Sequence, residues 1–257
     1  MAVDVNKLII TEIAQITAFN NAGELEFILD EVQDGSINNG QEKTELTGRN
    51  GRKIASLKKN KSVTITATNG LLVGGLLAAQ TGTEIEQGSF NVRMTDVLTV
   101  KSNKATTSKT AVGGLGDEIS VIYIKNSNGS LGKKLTQSAE AGEDTFKYDP
   151  ETKEIETSGL TDGTEIVAFY DAEVESAKIS NDSEKYSKVV KLYVDVMCMD
   201  NCDQEYAGQI IIQRADVSGE FEMQLGGDNF AHAFEAESLA GGCTGSTNLW
   251  DLIVYGV

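Results

Sequence analysis

The sequence predicts a mainly β protein, built from antiparallel sheets with one dry and one wet face and carrying one short helix. Three observations predict it. Several segments alternate apolar and polar residues with a period of two. Short runs are rich in β-branched and aromatic residues, as pleated half-buried surfaces require. Clusters of Asn, Asp, Gly and Ser punctuate those runs with turn signals.

In chain order, "SVTITATNG" sets Val63, Ile65 and Ala67 against Ser62, Thr64, Thr66 and Thr68, and its Asn-Gly closes the strand with a turn. "LLVGGLLAAQTG" breaks the pattern: Leu72, Leu76 and Ala79 recur at helical spacing, and Gly82 suits a helix C′ position. The expectation is a short helix packed on a sheet, weakened by the pair Gly74–Gly75. From Gly113 to about Ser180 the texture changes to short apolar runs, "ISVIYI", "DTFKYD" and "EIVAFYD", between turn-rich pieces. The expected organisation is a main β domain of residues 1–112 and 181–257, with 113–180 as a β-rich insertion or an elaborated part of that domain. "KVVKLYVDVMCMD" places Val190, Leu192, Val194, Val196 and Cys198 opposite Lys191, Tyr193, Asp195 and Met197. "DVSGEFEMQLGG" is the clearest alternation, with Val217, Gly219, Phe221, Met223 and Leu225 on one face and Ser218, Glu220, Glu222 and Gln224 on the other. "GQIIIQRADV" and "LWDLIVY" complete the strands.

Charge excludes some functions. With 22 Lys and Arg against 39 Asp and Glu, a net charge of −17, the surface repels nucleic acid rather than holding it. The opening "MAVDVNKLIITEIAQITAF" lacks the basic region and cleavage site of a secretory signal, so synthesis in the cytoplasm is expected, and no apolar run is long enough to span a bilayer.

No catalytic constellation stands out. The single histidine, His232 in "FAHAFEAE", has no nucleophile signature near it and reads as an ordinary solvated or packed residue. Cys198, Cys202, Cys243 and His232 can be read as four zinc ligands or as small buried residues. The absence of a second close pair favours the latter. The expectation is a protein with no catalytic residues, metal or cofactor.

One stretch is out of keeping with the acidic whole. In "LTGRNGRKIASLKKNKSVTITATNG" six bases fall between Arg49 and Lys61, and no Asp or Glu occurs from Leu46 to Thr83. That stretch, then "GLLVGGLLAAQTG", and near the end "GEFEMQLGGD", "HAFEAESLAGG" and "LWDLIVY", together resemble the tail tube, or major tail, protein of long-tailed bacteriophages. The resemblance spans both ends of the chain and thins between Gly113 and Ser180. It implies two packed antiparallel sheets with a flanking helix, in subunits that join into hexameric rings around a channel. The rings stack into a tube that carries DNA during ejection. The implied partners are further copies of the chain, other tail proteins at the tube ends, and DNA in transient, repulsive passage. The implied setting is the host cytoplasm during assembly and then the virion tail. Rival readings are a surface-layer or adhesin-like protein and a ligand-binding β-sandwich.

Within that reading two sets of residues are site candidates. Gly48, Arg49, Gly51, Arg52, Lys53, Lys58, Lys59 and Lys61 form a basic loop, before a strand starting at Ser62, that docks on an acidic patch of a neighbouring subunit or ring. Glu220, Glu222 and Gln224, the polar members of the clearest alternation, line the channel.

Overall fold

The computed structural model describes residues 5–224, 226, 230–241 and 247–256. The strands are β1 (Ile9–Phe19), β2 (Leu25–Leu29), β3 (Val32–Thr47), β4 (Lys53–Asn69), β5 (Glu86–Thr99), β6 (Lys104–Thr106), β7 (Ile119–Lys125), β8 (Leu131–Gln137), β9 (Thr145–Asp149), β10 (Glu154–Thr157), β11 (Glu165–Lys178), β12 (Val189–Met199), β13 (Glu205–Val217), β14 (His232–Ser238) and β15 (Asp251–Gly256), with one helix, α1 (Gly74–Thr81), among the described residues. The protein is mainly β and contains two sheets, one of them curled into a half-barrel.

Two compact units divide the chain: residues 1–85 with 179–257, and residues 86–178. The second unit takes in most of the segment 113–180 together with 86–112. Its sheet runs β5-β11-β7-β8-β9-β10-β6. All pairings in it are antiparallel except β8 with β9, which is parallel. Its core gathers Ile119, Ile122, Phe146, Ile155, Ile166 and Tyr170. Chain entry and exit lie side by side, because Glu86 and Lys178 are register partners at the ends of β5 and β11.

The first unit holds the sheet β2-β1-β12-β13-β14-β4-β3, with β15 on β13 as an additional strand. Its dry face is built as the alternation requires. Ile16 and Ala18 of β1, Val190 to Cys198 at every second position of β12, Ile210 and Ile212 of β13, Ile65 and Ala67 of β4, and Phe234 and Ala236 of β14 form one core with Leu76 and Ala79 of α1.

The helix starts at Gly74, not Leu72, and Leu72 is exposed. It ends as the sequence suggests: Gly82 adopts φ 69°, ψ 22°, a left-handed cap that a side chain at that position would strain. Gly75, a poor helix former, has a packing reason to be there. A Cβ at Gly75 would lie 2.3 Å from the Glu26 carbonyl oxygen and 3.1 Å from Phe27 Cβ, so only glycine lets α1 sit this close to β2.

His232 sits at the start of β14 and is fully buried. Gln80 of α1 donates through Nε2 to the Ala233 carbonyl at 2.9 Å, which leaves its Oε1 to accept from His232 Nε2 at 2.9 Å. The neutral ring therefore carries its proton on Nε2, and Nδ1 has no hydrogen-bond partner among the described residues. Burial pushes the imidazole pKa down.

Three outcomes are expected. Gly75→Ala gains helix propensity worth about 1 kcal/mol. It also forces an overlap with a backbone carbonyl, and overpacking of that kind costs about 1–3 kcal/mol or more. A net fall in urea midpoint is therefore expected, and an unchanged midpoint would show that α1 can retreat from β2. The depressed His232 pKa means that the unfolded chain binds the extra proton below pH ~6.5 while the folded chain does not. Stability should thus fall as pH drops from 7.5 to 5.5, with a slope of at most about 1.4 kcal/mol per pH unit from this one group. His232→Gln should flatten the melting-temperature profile over that interval. Finally, joining Ile85 to Ile179 through a short turn in place of 86–178 should leave the first unit folded, because the excised ends are register partners; loss of cooperative unfolding would show the opposite.

Candidate functional site

The face of the first sheet opposite α1 is polar and hollow. On β1, β12 and β13 its side chains, among them Thr17, Lys191, Tyr193, Asp195 and Gln209, are half-buried rather than exposed. They share a groove of about 1080 Å³, lined also by Phe19, Gln213 and Arg214. A separate, smaller hollow of about 440 Å³ has a wall that includes Asp34, Thr66, Glu220, Glu222 and Glu235.

Glu220, Glu222 and Gln224 are exposed, while Phe221 and Met223 are half-buried. The alternation of the sequence therefore holds, but the regular strand expected from Val217 to Leu225 does not. β13 ends at Val217, Met223 forms one isolated bridge to His232, and Leu225 lies outside the described residues. The segment still follows β14 through backbone bonds: Ser218 N–H to the Glu235 carbonyl at 2.8 Å, Ala233 N–H to Glu222 at 3.3 Å and Gln224 N–H to Ala231 at 3.2 Å. Directly opposed residues share a face. Glu222, opposite Ala233, thus joins the polar side on which Glu235 and Glu237 stand, next to Thr66 and Thr64 of β4. Glu235, Glu237 and Asp195 extend this acidic surface, and of the three only Asp195 stands out in the sequence, as the wet member of an alternation.

The basic stretch is the far half of a long hairpin. β3 and β4 pair from Val32↔Asn69 out to Thr47↔Lys53, whereas β14 accompanies β4 only over Thr64–Asn69. Beyond Ser62 the two strands run on alone as an arm exposed on both sides, closed by one turn of 3-10 helix over Arg49–Gly51. The strand thus begins at Lys53, not Ser62. No period-of-two pattern marks its first half because no core lies under it. The glycines fit the tip: Gly51 adopts φ 71°, and a Cβ on Gly48 would strike Ile54 Cδ1 at 2.3 Å.

Lys53 pairs with Glu45 at 2.5 Å, and Lys43 approaches the same carboxylate at 3.7 Å. Arg49, Arg52, Lys58, Lys59 and Lys61 take part in no ion pair among the described residues. The pairings Leu46↔Ala55 and Thr44↔Leu57 collect three apolar side chains on one face of the arm, while Glu45↔Ser56 and Lys43↔Lys58 set charge on the other. Leu46, Ile54 and Leu57 are 46%, 73% and 54% exposed, apolar surface that charge-based reading of the stretch passes over.

The zinc reading gains no geometry. Cys198 is buried in the core, Cys202 is exposed in the β12–β13 turn, His232 is held by Gln80, and Cys243 lies outside the described residues. Among the described residues no group of three or more His, Cys, Asp and Glu side chains is placed to hold a metal, and no helix is long and apolar enough to cross a membrane.

No curated protein matches the chain. A family model does, across nearly its whole length: residues 8–250 fit the YomU/Tube protein family. With a mainly β fold, a hollow polar sheet face and a protruding basic arm, the chain belongs to the YomU/Tube protein family, consistent with a phage tail tube protein.

Proposed function

We propose that copies of this chain join edge to edge into rings, six to a ring as the resemblance implies, whose hollow polar faces line a channel, and that the rings stack into a tail tube through which DNA passes. The observation that carries this reading is the two-sidedness of the first sheet: the core and α1 occupy one face, and the opposite face is polar, concave and acidic. A barrel assembled from such sheets faces water on the inside. Carboxylates such as Glu222, Glu235 and Glu237, with Glu220 and Gln224, keep the wall from gripping the DNA backbone, since like charge removes the counterion-release drive for binding. Open edges supply the joints. β2 ends the sheet on one side, and β15 leaves Leu252, Ile253 and Tyr255 43%, 50% and 48% exposed. Pairing such edges between copies removes the unpaired backbone groups that β-rich subunits must otherwise protect.

In the same reading the arm bridges to a neighbouring subunit or ring. Its unpaired bases meet an acidic surface of the next copy, and Leu46, Ile54 and Leu57 bury against it. Further tail proteins meet the tube at its ends.

Electron microscopy of the concentrated protein is expected to show rings or tubes; dispersed subunits would refute the assembly reading. Arg49→Glu, Arg52→Glu and Lys53→Glu together should block tube growth while the melting temperature of the subunit stays within a few degrees of wild type. Normal tubes from this variant would remove the docking role of the arm and leave it a solvated hairpin.

A further inference from the structure

The hollow face is acidic overall, yet its larger groove contains two cations with no carboxylate partner among the described residues. Across β12 and β13 the register runs Val190↔Ala215 and then Leu192↔Ile212, so Lys191 stands opposite two residues, Gln213 and Arg214. A β-bulge of this kind redirects side chains, and here both bulged residues line the same groove as Lys191. Lys191 Nζ lies over the Tyr193 ring at 4.8 Å, and Phe19 meets that ring edge-on at 5.8 Å. Neither Lys191 nor Arg214 takes part in an ion pair among the described residues, although the chain carries 39 acids. The one carboxylate in the groove, Asp195, accepts a hydrogen bond from Gln209 Nε2 at 2.8 Å.

We propose that Lys191, Gln213 and Arg214 form a seat for a phosphodiester of DNA on the concave face. A lysine supplies a point charge, an arginine a fork of donors matched to phosphate oxygens, and Gln213 neutral donors beside them. The inference rests on the channel reading, which leaves this face open to the lumen instead of covering it with another subunit. It deepens that reading. A uniformly acidic wall would only repel DNA, whereas one seat per subunit repeats around and along the tube and gives the backbone weak, evenly spaced footholds. Contact with one or two phosphates per seat predicts a shallow salt dependence, about −0.9 in log K against log salt for each phosphate.

The test uses the full-length subunit before assembly and a fluorescent 12-base-pair duplex at low salt, read by anisotropy. Wild type is compared with Lys191→Gln/Arg214→Gln and with Lys101→Gln/Lys109→Gln, which removes the same charge from two exposed positions of the second unit. The groove variant should bind the duplex at least tenfold more weakly, while the second-unit variant binds within about twofold of wild type. Equal loss in both variants, or loss in the second-unit variant alone, would overturn the seat. So would half-displacement of the duplex by inorganic phosphate at concentrations matching its own phosphate content, which marks a site for the free anion. Normal duplex binding by the groove variant combined with failure to form rings would assign the cations to a subunit contact. Absence of rings from wild type with the binding difference intact would refute the channel reading and leave the seat standing.

Discussion

The first unit depends on one constraint: the eight-residue helix α1 packs on the dry face of a broad sheet. The close approach at Gly75 is what allows it, because α1 lies against the backbone of β2 with no side chain between them. Leu76 and Ala79 then reach the centre of the core, and Gln80 reaches β14, where it satisfies the Ala233 carbonyl and fixes the buried His232. The cover is small, so its limits show in the sequence. Where the core ends, at Val63 of β4, the hairpin continues without anything beneath it.

Beyond that limit the two faces of the hairpin exchange character. Positions continuing the dry face of Ile37 and Ile65 become Lys43, Glu45 and Lys58, and positions continuing the wet face become Leu46, Ala55 and Leu57. A strand pair buried nowhere has no use for alternation in its own fold, and the apolar residues on the far side of the arm stay exposed. This explains what the sequence made legible. β12 and the inner half of β4 announce themselves because one face is dry and the other wet, and the helix shows its left-handed Gly82 cap. β3 is polar on both sides for most of its length, with "DGSINNGQEKTE" carrying no periodicity, and passes unrecognised. The stretch after Val217 errs in the opposite direction: a strict period of two is present, but the chain follows β14 through irregular backbone bonds instead of a ladder.

Charge shows the same division between what composition reveals and what register alone reveals. The excess of bases between Arg49 and Lys61 is visible in the sequence, whereas the pairing of Lys53 with Glu45 is a product of the hairpin register. The groove cations are more obscure still. Lys191 reads as one polar member of an alternation, and Arg214 as part of "IIIQRADV", where only a bulge places both on one face. With screening over about 8 Å at physiological salt, an exposed arm and a half-buried groove answer to different fields, and the groove keeps more of its Coulomb energy.

The distribution of edges sets how such a subunit can polymerise without aggregating. An exposed edge strand pairs with any suitable neighbour unless it is short, charged or bulged. The sixteen-residue edge strand β3 is the hazardous one by length. Its outer half carries Glu42, Lys43 and Glu45, and register shifts interrupt its pairing with β4 at Gln41/Glu42 and Leu46/Thr47. By contrast the apolar edges are brief: β2 spans five residues and β15 six. A short apolar edge has few backbone groups with which to bind a random strand, so its pairing is decided by side-chain fit. In the proposed ring, growth is then directed to the two short edges, and the long charged edge remains as an arm whose contacts depend on matching charge and on the exposed Leu46, Ile54 and Leu57.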